Sequence, residues 1–465
     1  MNSMDFEHYR SPFTWRYGSD EMRQIWSETN KRLMWRRIWV TLADVQSEFG
    51  LVSKDQVEDL SANSAELNIE RSFEIEEEIR HDLMAEIKVF AEQCPLGGGI
   101  IHLGATATDI KDNAEVLFIR QSLDLVLQKL RKTLEKFTIK IKTYADLPTM
   151  AHTHIQPAEP TTLGYRFAQY AQDLLMDWEE IRRVLSELCG KGFKGAVGTG
   201  ASFGDLLGIE NLNKFEDMMS ERLELPFFPV TTQTYSRKQD YKVVSSLAGL
   251  GASLYKFAFD LRILQSPPFG ELREPFGERQ VGSSAMPFKR NPETAEKIDS
   301  LGRLLAQYPR LAWDNASHSL LERTLDDSAN RRSMLPEVFL ITDELLISSH
   351  WIIEGLQVNE TAIQKNFDTY APFAATEPVL MALTKKGADR QEMHERIRQH
   401  AQKAWTAVQN DQPNPLHEHI IKDKVFLSFL SIDELENLME AKEYIGDAPQ
   451  RARELADKII ESLDK

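Results

Sequence analysis

Residues 112–148 read DNAEVLFIRQSLDLVLQKLRKTLEKFTIKIKTYADLP. Apolar side chains recur there every three or four residues, at Val116, Ile119, Leu123, Leu127, Leu130, Leu134, Phe137 and Ile141. This spacing places them on one face of an α-helix. Asp112 and Asn113 are good N-cap residues, and Pro148 ends the pattern. The stretch therefore predicts one long helix between Asn113 and Leu147.

Two later stretches have the same periodicity. One follows Pro160 and ends at Gly190, and the other is stopped by Pro267-Pro268. Their apolar stripes are Leu163, Phe167, Tyr170, Leu174, Trp178, Ile181, Leu185 and Leu188, and then Val243, Leu247, Leu250, Leu254, Phe257, Leu261 and Leu264. Shorter helical stretches, roughly 293–312 and 328–356, complete a five-helix core. Near-heptad repeats of this length predict an all-α fold, in which long helices pack at shallow angles in a bundle.

The chain is long enough for several domains and a large buried core, at 465 residues. We predict an N-terminal helical domain at 1–106, a central long-helix bundle at 107–358 and a C-terminal helical domain at 359–465. No internal repeat or low-complexity linker separates them in the sequence.

Composition argues against several classes of function. Lysine and arginine number 55 against 72 acidic residues, a formal charge of −17, so a general nucleic-acid or anionic-membrane surface is not expected. The two cysteines lack C-x-x-C spacing, which indicates neither a disulfide framework nor a zinc site. The first ten residues lack the apolar core of a secretory signal, and no run of about 18 apolar residues follows. A cytoplasmic protein is therefore expected.

Residues 190–200, GKGFKGAVGTG, form a glycine-dense stretch. Backbone N–H groups of such stretches can hold phosphate, but the order G-x-G-x-x-G and a Gly-Lys-Ser/Thr ending are both missing. We interpret it as a flexible connection that leaves the second long helix. Phosphate contact stays an alternative.

Residues 282–292, GSSAMPFKRNP, form a shaped polar loop, because one glycine and two prolines exclude a helix interior or central strand. The loop contains the groups needed to abstract a proton beside a carboxylate. Ser283 or Ser284 could be the base where cations favour its alkoxide, and Lys289 and Asn291 could hold the resulting anion. The alternative is an ordinary solvated turn.

Two further polar segments flank the first predicted helix, at 102–113 and 152–157. A helix rises about 1.5 Å per residue, so it should separate them by roughly 50 Å. If both segments contribute groups to the active site, neighbouring chains must complete that site in an obligate homo-oligomer. His154 is the natural general acid, because the pKa of imidazole is about 6.5, and a structural histidine is the alternative. As metal ligands, His152 and His154 lack a third partner, so no metal site is predicted.

The loop motif Ser-Ser-x-Met-Pro-x-Lys-x-Asn-Pro resembles the fumarate-producing lyase superfamily. That superfamily includes adenylosuccinate lyase, argininosuccinate lyase, aspartase and class II fumarase. The resemblance implies that Ser283 is the base that forms the carbanion. It also implies that Lys289 and Asn291 contact a substrate carboxylate.

Residues 153–158, Thr-His-Ile-Gln-Pro-Ala, are similar to the superfamily motif Thr-His-x-Gln-Pro-Ala. The resemblance implies that His154 is the proton donor and that Thr153 and Gln156 contact the substrate. It also implies a homotetramer in which each of four active sites is built from three subunits.

Four further runs indicate one family within this superfamily. Three of them, 80–82, 233–238 and 323–332, are cation-dense, and the fourth is 11–17. Together they resemble the adenylosuccinate lyase family of animals and some bacteria, over about residues 11–400. The residues that match its substrate contacts are Arg16, Tyr17, Arg80, His81, Asp82, Thr106, Gln233, Lys289, Arg323, Ser328 and Arg332.

This resemblance implies cofactor-free β-elimination of fumarate from adenylosuccinate, which gives AMP. It further implies release of fumarate from succinyl-aminoimidazole carboxamide ribotide (SAICAR), which gives AICAR, in purine nucleotide biosynthesis. A substrate with one phosphate and two carboxylates agrees with arginines gathered locally in an acidic chain. The alternatives are another fumarate-releasing lyase, such as argininosuccinate lyase, and a non-catalytic helical scaffold.

The sequence departs from the family pattern at one position. Ala107 follows Thr106, where the family often has serine, so a hydroxyl contact to phosphate or carboxylate is lost. Thr108 is a candidate replacement, although its side chain is expected to point elsewhere. Affinity could therefore differ without a change in reaction type.

Overall fold

The structure is a computed structural model that describes residues 7–464. The first six residues, which belong to the N-terminal stretch without the apolar core of a secretory signal, and Lys465 lie outside the described residues. Within residues 7–464, no helix combines the length and apolar character that crossing a membrane requires.

The predicted all-α class is confirmed, because the described residues are mainly helical and contain only two two-stranded sheets. The first helices are α1 (Asp20–Ile25), α2 (Glu28–Glu48), α3 (Lys54–Asn63), α4 (Ile69–Ile79), α5 (Asp82–Gln93), α6 (Ala107–Thr143), α7 (Leu163–Ser186), α8 (Ala201–Leu207) and α9 (Leu212–Leu223). The later ones are α10 (Lys238–Gln265), α11 (Glu293–Leu305), α12 (Tyr308–Ser317), α13 (Asp326–Gly355), α14 (Glu360–Ala374), α15 (Thr376–Lys385), α16 (Arg390–Gln409), α17 (Leu416–Ile421), α18 (Ile432–Met439) and α19 (Ala448–Leu463).

The three long predicted helices are present as α6, α7 and α10. The first begins at Ala107 rather than at Asn113, so the prediction that Asp112 or Asn113 is its N-cap is wrong. The Asn113 amide donates to the Asp109 and Gly192 carbonyl oxygens, at 2.7 and 3.1 Å. Asp112 and Asn113 are therefore buried, hydrogen-bonded residues inside the helix.

The two shorter predicted helices differ from each other in outcome. The stretch 293–312 is divided between α11 and α12, whereas 328–356 corresponds to the single helix α13, which ends at Gly355. Helix α13 continues through Pro336, whose missing N–H removes one backbone hydrogen bond without ending the helix.

A hairpin that the sequence pattern did not predict follows α6. Strand β1 (Pro148–Thr153) pairs antiparallel with β2 (Gln156–Thr162), with a register shift between Met150 and His152. A second small pair joins β3 (Leu272–Arg273) to β4 (Gln357–Val358). The side chain of Arg166 secures the base of the first hairpin, because it donates to the Met150 carbonyl and pairs with buried Glu271 at 2.9 Å.

The chain divides by compactness into two units. The described part of the first unit comprises residues 7–130, 177–252 and 300–347, and that of the second comprises 131–176, 253–299 and 348–464. In the first, Trp26 stacks on Phe339 with centroids 5.6 Å apart. In the second, Phe257 packs edge-on against Phe137 at 5.1 Å. The division into three domains by sequence stays a prediction.

Candidate active-site elements

A cavity of about 570 Å³ in the first unit is lined by eight of the predicted substrate-contact residues. They are Arg80, His81, Asp82, Thr106, Gln233, Arg323, Ser328 and Arg332. The volume suits a small-molecule ligand. Seven lysines and arginines line the cavity against four aspartates and glutamates, so its wall is cationic although the chain as a whole is acidic. The structure therefore gathers side chains from runs that are far apart in sequence.

The first turn of α6 forms one wall of this cavity. The Asp109 carboxylate accepts the backbone N–H of Thr106 at 2.8 Å, which helps to fix the start of the helix. The Thr108 hydroxyl donates to the carbonyl oxygen of Gln233. Thr108 thus positions the Gln233 backbone. Because its hydroxyl proton is used in this bond, Thr108 does not replace the hydroxyl donor that Ala107 lacks.

Asp82 is the anionic centre of the cavity wall. It accepts from the Lys111 ammonium and from Arg332 Nη2, the latter at 3.0 Å. Burial by itself would raise the pKa of Asp82, but these cations and the Leu83 N–H outweigh it and lower the pKa to about 2. Asp82 is therefore ionised at neutral pH and shared between two cations.

A buried ion network forms part of the cavity wall and extends behind it. Arg237 forms a bidentate pair with Asp112, at 3.0 and 3.2 Å, and its Nε donates to Asp327 at 2.7 Å. Arg331 pairs with Asp240 at 2.8 Å. Burial would raise the pKa of Asp327, but Arg237 and Arg331 outweigh it and lower the pKa. Asp327 also accepts from Arg323 at 2.9 Å and so links the network to the cavity.

The segment between α4 and α5 presents Arg80 and His81. Arg80 ends α4 in the left-handed conformation, at φ 56°, which turns the chain sharply. His81 Nδ1 accepts the Met84 N–H at 3.2 Å and caps α5. Because Nδ1 is an acceptor, a neutral His81 carries its hydrogen on Nε2.

Arg16 and Tyr17 follow a short 3-10 turn, Pro12–Thr14, in the first unit. The Arg16 guanidinium lies over the rings of Trp15 and Tyr17, at 5.7 and 5.9 Å from their centroids. Neither residue is among those that line the cavity. Their predicted substrate contacts stay predictions.

In the second unit, His154 lies at the tip of the β1–β2 hairpin, between the paired residues Thr153 and Gln156. His154 and Ile155 have φ values of 54° and 60°, the positive values of a type I′ turn. Such turns favour asparagine and glycine, so a β-branched isoleucine is strained there. Strain of this kind concentrates at functional sites, which favours a functional role for the exposed tip.

His152 differs from His154 in its surroundings. Its ring packs against Phe269 with centroids 5.0 Å apart, and burial lowers its pKa, with a further contribution from Arg166. Among residues 7–464, no group of three or more His, Cys, Asp or Glu side chains is arranged to hold a metal ion.

The serine loop of the second unit places backbone donors on Ser283. The Oγ atom accepts the N–H groups of Met286 at 3.0 Å and Ala285 at 3.4 Å. Asn291 Nδ2 donates to the Gly282 carbonyl oxygen at 2.9 Å and closes the loop. A Cβ atom at position 282 would clash with the Lys289 carbonyl oxygen, so this closure requires glycine. Lys289 and Asn291 also line a second cavity, of about 1120 Å³.

The glycine-dense stretch after α7 is buried from Gly190 to Gly195, so the interpretation as a flexible connection is wrong for this part. The Lys191 ammonium pairs with buried Asp109, and Lys194 pairs with Glu216 at 2.6 Å. Both lysines thus bind carboxylates within the fold. Glycine is required at 190, where a Cβ atom would clash with the Asn113 side chain, and is favoured at 192 by a φ of 78°.

Lys111, Trp35, Arg237 and Arg331 line the cavity but were not predicted from the sequence. Lys111 lies in the polar segment 102–113 and Trp35 in a long helix, and neither matches a motif position that distinguishes it from other residues of its type. Arg237 and Arg331 lie within recognised cation-dense runs, and this was the available signal.

Comparison with known proteins adds a family context. A family model described as Lyase matches residues 18–303, and one described as Adenylosuccinate lyase C-terminus matches residues 372–455. The chain is similar to adenylosuccinate lyase of Schizosaccharomyces pombe, with 38% identity over 98% of this chain and 95% of the relative. It is also similar to adenylosuccinate lyase of Pyrococcus abyssi, with 34% identity over 98% of each chain.

Solved structures share the fold. The 3-carboxy-cis,cis-muconate lactonizing enzyme from Pseudomonas putida superposes with a TM-score of 0.85 at 23% identity, over 96% of this chain and 98% of that one. A fumarate lyase from Mesorhizobium sp. BNC1 gives 0.83 at 23% identity, over 97% and 99%. At these identities the likeness concerns the fold alone.

Proposed function

The chain belongs to the adenylosuccinate lyase family and is a lyase, and on this premise we propose how its residues release fumarate from adenylosuccinate to give AMP. The observation that carries the proposal is the cationic cavity of the first unit. Adenylosuccinate has a phosphate and two carboxylates, and arginine is suited to bind such groups through paired N–H donors. We assign substrate binding to the predicted residues of this cavity, together with Arg16 and Tyr17.

The reaction is a β-elimination in which Ser283 acts as an alkoxide. Its Oγ removes a proton from the carbon next to a succinyl carboxylate, and Lys289 and Asn291 stabilise the resulting dianion. The carbon electron pair forms the fumarate double bond as the carbon–nitrogen bond breaks. His154 protonates the departing nitrogen, with Thr153 and Gln156 beside the substrate.

Two features of the loop support Ser283 as the base. The N–H groups of Ala285 and Met286 donate to its Oγ, so the alkoxide form has two fixed donors that stabilise its negative charge. The adjacent Ser284 is exposed, and within residues 7–464 no backbone N–H donates to its Oγ as two do to that of Ser283. We therefore assign the base to Ser283.

The active enzyme is proposed to be a cytoplasmic homotetramer with active sites shared between subunits. Helix α6 alone is 37 residues long, or about 55 Å, and in the sequence it connects Thr106 to the segment of the β1–β2 hairpin. The exposed, strained tip with His154 would be covered by a neighbouring chain. The same active site would cleave SAICAR, because both substrates carry the succinyl group on nitrogen.

Product analysis tests the reaction. Purified protein is supplied with adenylosuccinate, SAICAR or argininosuccinate, and the products are separated by chromatography. AMP and AICAR, each in equal amount with fumarate, are expected from the first two. Formation of arginine, or no product from any substrate, would overturn the proposed function.

Subunit mixing tests the shared site. Ser283→Ala and His154→Ala are prepared separately, and each is expected to be nearly inactive. Subunit exchange should restore part of the activity, because some mixed active sites then contain both native groups. Native mass spectrometry verifies exchange, and the absence of recovery in verified mixed tetramers would exclude sharing between these residues.

A further inference from the structure

Lys111 is placed where it can bind an anionic ligand, although no motif marked it. It lies on α6 four residues after Ala107, about one turn, so both side chains are on the same face of the helix. Both line the cationic cavity. The Lys111 ammonium lies 5.7 Å from the centroid of the Trp35 ring, which is itself buried.

The carboxylate partner of Lys111 is shared. Asp82 accepts from both Lys111 and Arg332, so one negative charge faces two positive charges. An ammonium has three N–H donors, and Asp82 accepts only one of those of Lys111. The Lys111 side chain is 24% exposed, so its head group is accessible from the cavity.

The neighbouring residues do not supply an equivalent donor on this face. Ala107 has a methyl group, and the Thr108 hydroxyl donates to the Gln233 carbonyl. Arg237, which also lines the cavity, is buried and pairs with Asp112 and Asp327. Lys111 is therefore the cation of this helix face that has donors left for a ligand.

We propose that Lys111 binds an anionic oxygen group of the substrate, either its phosphate or a succinyl carboxylate, while Asp82 and Trp35 hold the ammonium in place. This inference rests on the proposed function, because it concerns the same substrate. The contact is one of binding, so it acts mainly on KM and on the affinity for products. A purely structural counterion of Asp82 would instead change stability and leave ligand affinity unaltered.

The experiment compares Lys111→Met with Lys111→Arg and with a matched control, Lys142→Met. Lys142 lies on the same helix and pairs with one carboxylate, Asp457 at 2.6 Å, in the second unit. Steady-state kinetics with adenylosuccinate give KM and kcat, and inhibition by AMP and by fumarate gives two separate constants. AMP carries the phosphate without the succinyl carboxylates, and fumarate carries the carboxylates without the phosphate.

Lys111→Met is expected to raise KM for adenylosuccinate about tenfold, because one charge-assisted hydrogen bond is lost. The inhibition constant of AMP rises by a similar factor if the group is the phosphate, and that of fumarate rises if it is a carboxylate. Lys111→Arg keeps the charge and should stay within about threefold of wild type. Lys142→Met should leave all three constants unchanged.

Unchanged KM and inhibition constants in folded Lys111→Met would overturn the inference, as would equal losses in Lys142→Met. Circular dichroism and thermal unfolding report folding, and Lys111→Gln replaces Lys111→Met if the latter does not fold. Failure of the proposed function is distinguishable, because wild-type protein would then give no AMP from adenylosuccinate. In that case calorimetric titration of wild type and Lys111→Met with AMP and fumarate still measures the effect of Lys111.

Discussion

The cavity of the first unit and the serine loop of the second hold their charged groups in different ways. Arg237 in the first unit is buried and satisfied by two carboxylates, whereas Lys289 in the second is exposed on a loop. A buried network fixes geometry before a ligand arrives, which suits binding. A proton-transfer group, the role proposed for Ser283, must instead change its charge during the reaction, and a surface loop permits that change more readily than a buried ion network does.

Substitution of Ser283 is expected to have the largest effect on activity. Ser283→Ala removes the base and should lower kcat by about 1000-fold or more, while thermal stability stays near that of wild type. Ser284→Ala is the matched control, because it removes the adjacent hydroxyl. If Ser284→Ala shows the greater loss, the assignment of the base moves to Ser284.

For Arg237 we expect a large effect on stability, unlike the effect on activity expected for Ser283. Arg237→Met leaves Asp112 and Asp327 buried without this partner, so the free energy of unfolding should fall by about 3–5 kcal/mol in urea titrations. The control is Arg310→Met, which breaks a surface pair with Asp314 and should leave the urea midpoint unchanged. Equal urea midpoints for both variants would show that the buried network does not stabilise the folded protein.

The pH dependence of stability tests the role of Asp82 in the cavity wall. Its pKa falls from 3.8 to about 2 on folding, so its ionised form stabilises the folded state above about pH 4. That contribution, about 2 kcal/mol, is lost as the pH falls from 4 towards 2. Asp82→Asn should therefore be less stable than wild type at pH 7, with the difference shrinking at low pH. A difference that is constant from pH 7 to pH 3 would contradict this assignment.

The smallest expected effect concerns the hairpin tip. Ile155→Gly relieves the positive φ of a β-branched residue and should raise the free energy of unfolding by up to about 1 kcal/mol. Ile155→Ala keeps a Cβ atom and should give no comparable gain. Thermal unfolding of both variants measures this difference, and equal stability would show that the tip stores no strain.

The long helices were predictable because their apolar side chains repeat with the period of the helix itself. The start of α6 was placed six residues too late, since Asp112 and Asn113 have N-cap chemistry but are used as buried partners. The β1–β2 hairpin was missed because residues 148–162 are rich in proline, threonine and histidine without apolar alternation. Tertiary contacts outweighed local preference at both places.

In the proposed substrate site, too, some residues were predictable from the sequence and others were not. Motif resemblance selected eight residues that line one cavity, although they come from four separate parts of the sequence. It did not select Lys111, because this lysine matches no motif position and by itself resembles any solvated lysine. Nor did it indicate that the Thr108 hydroxyl would bind the Gln233 carbonyl, 125 residues away.

The sequence by itself determined the long helices, the polar loop at 282–292 and the residue types available for chemistry, because periodicity, proline and glycine act over short stretches of backbone. Only the tertiary structure decided which charges meet. Asp82 is shared by Lys111, 29 positions away, and Arg332, 250 positions away. Electrostatic interaction depends on distance through space and on burial, and folding sets both.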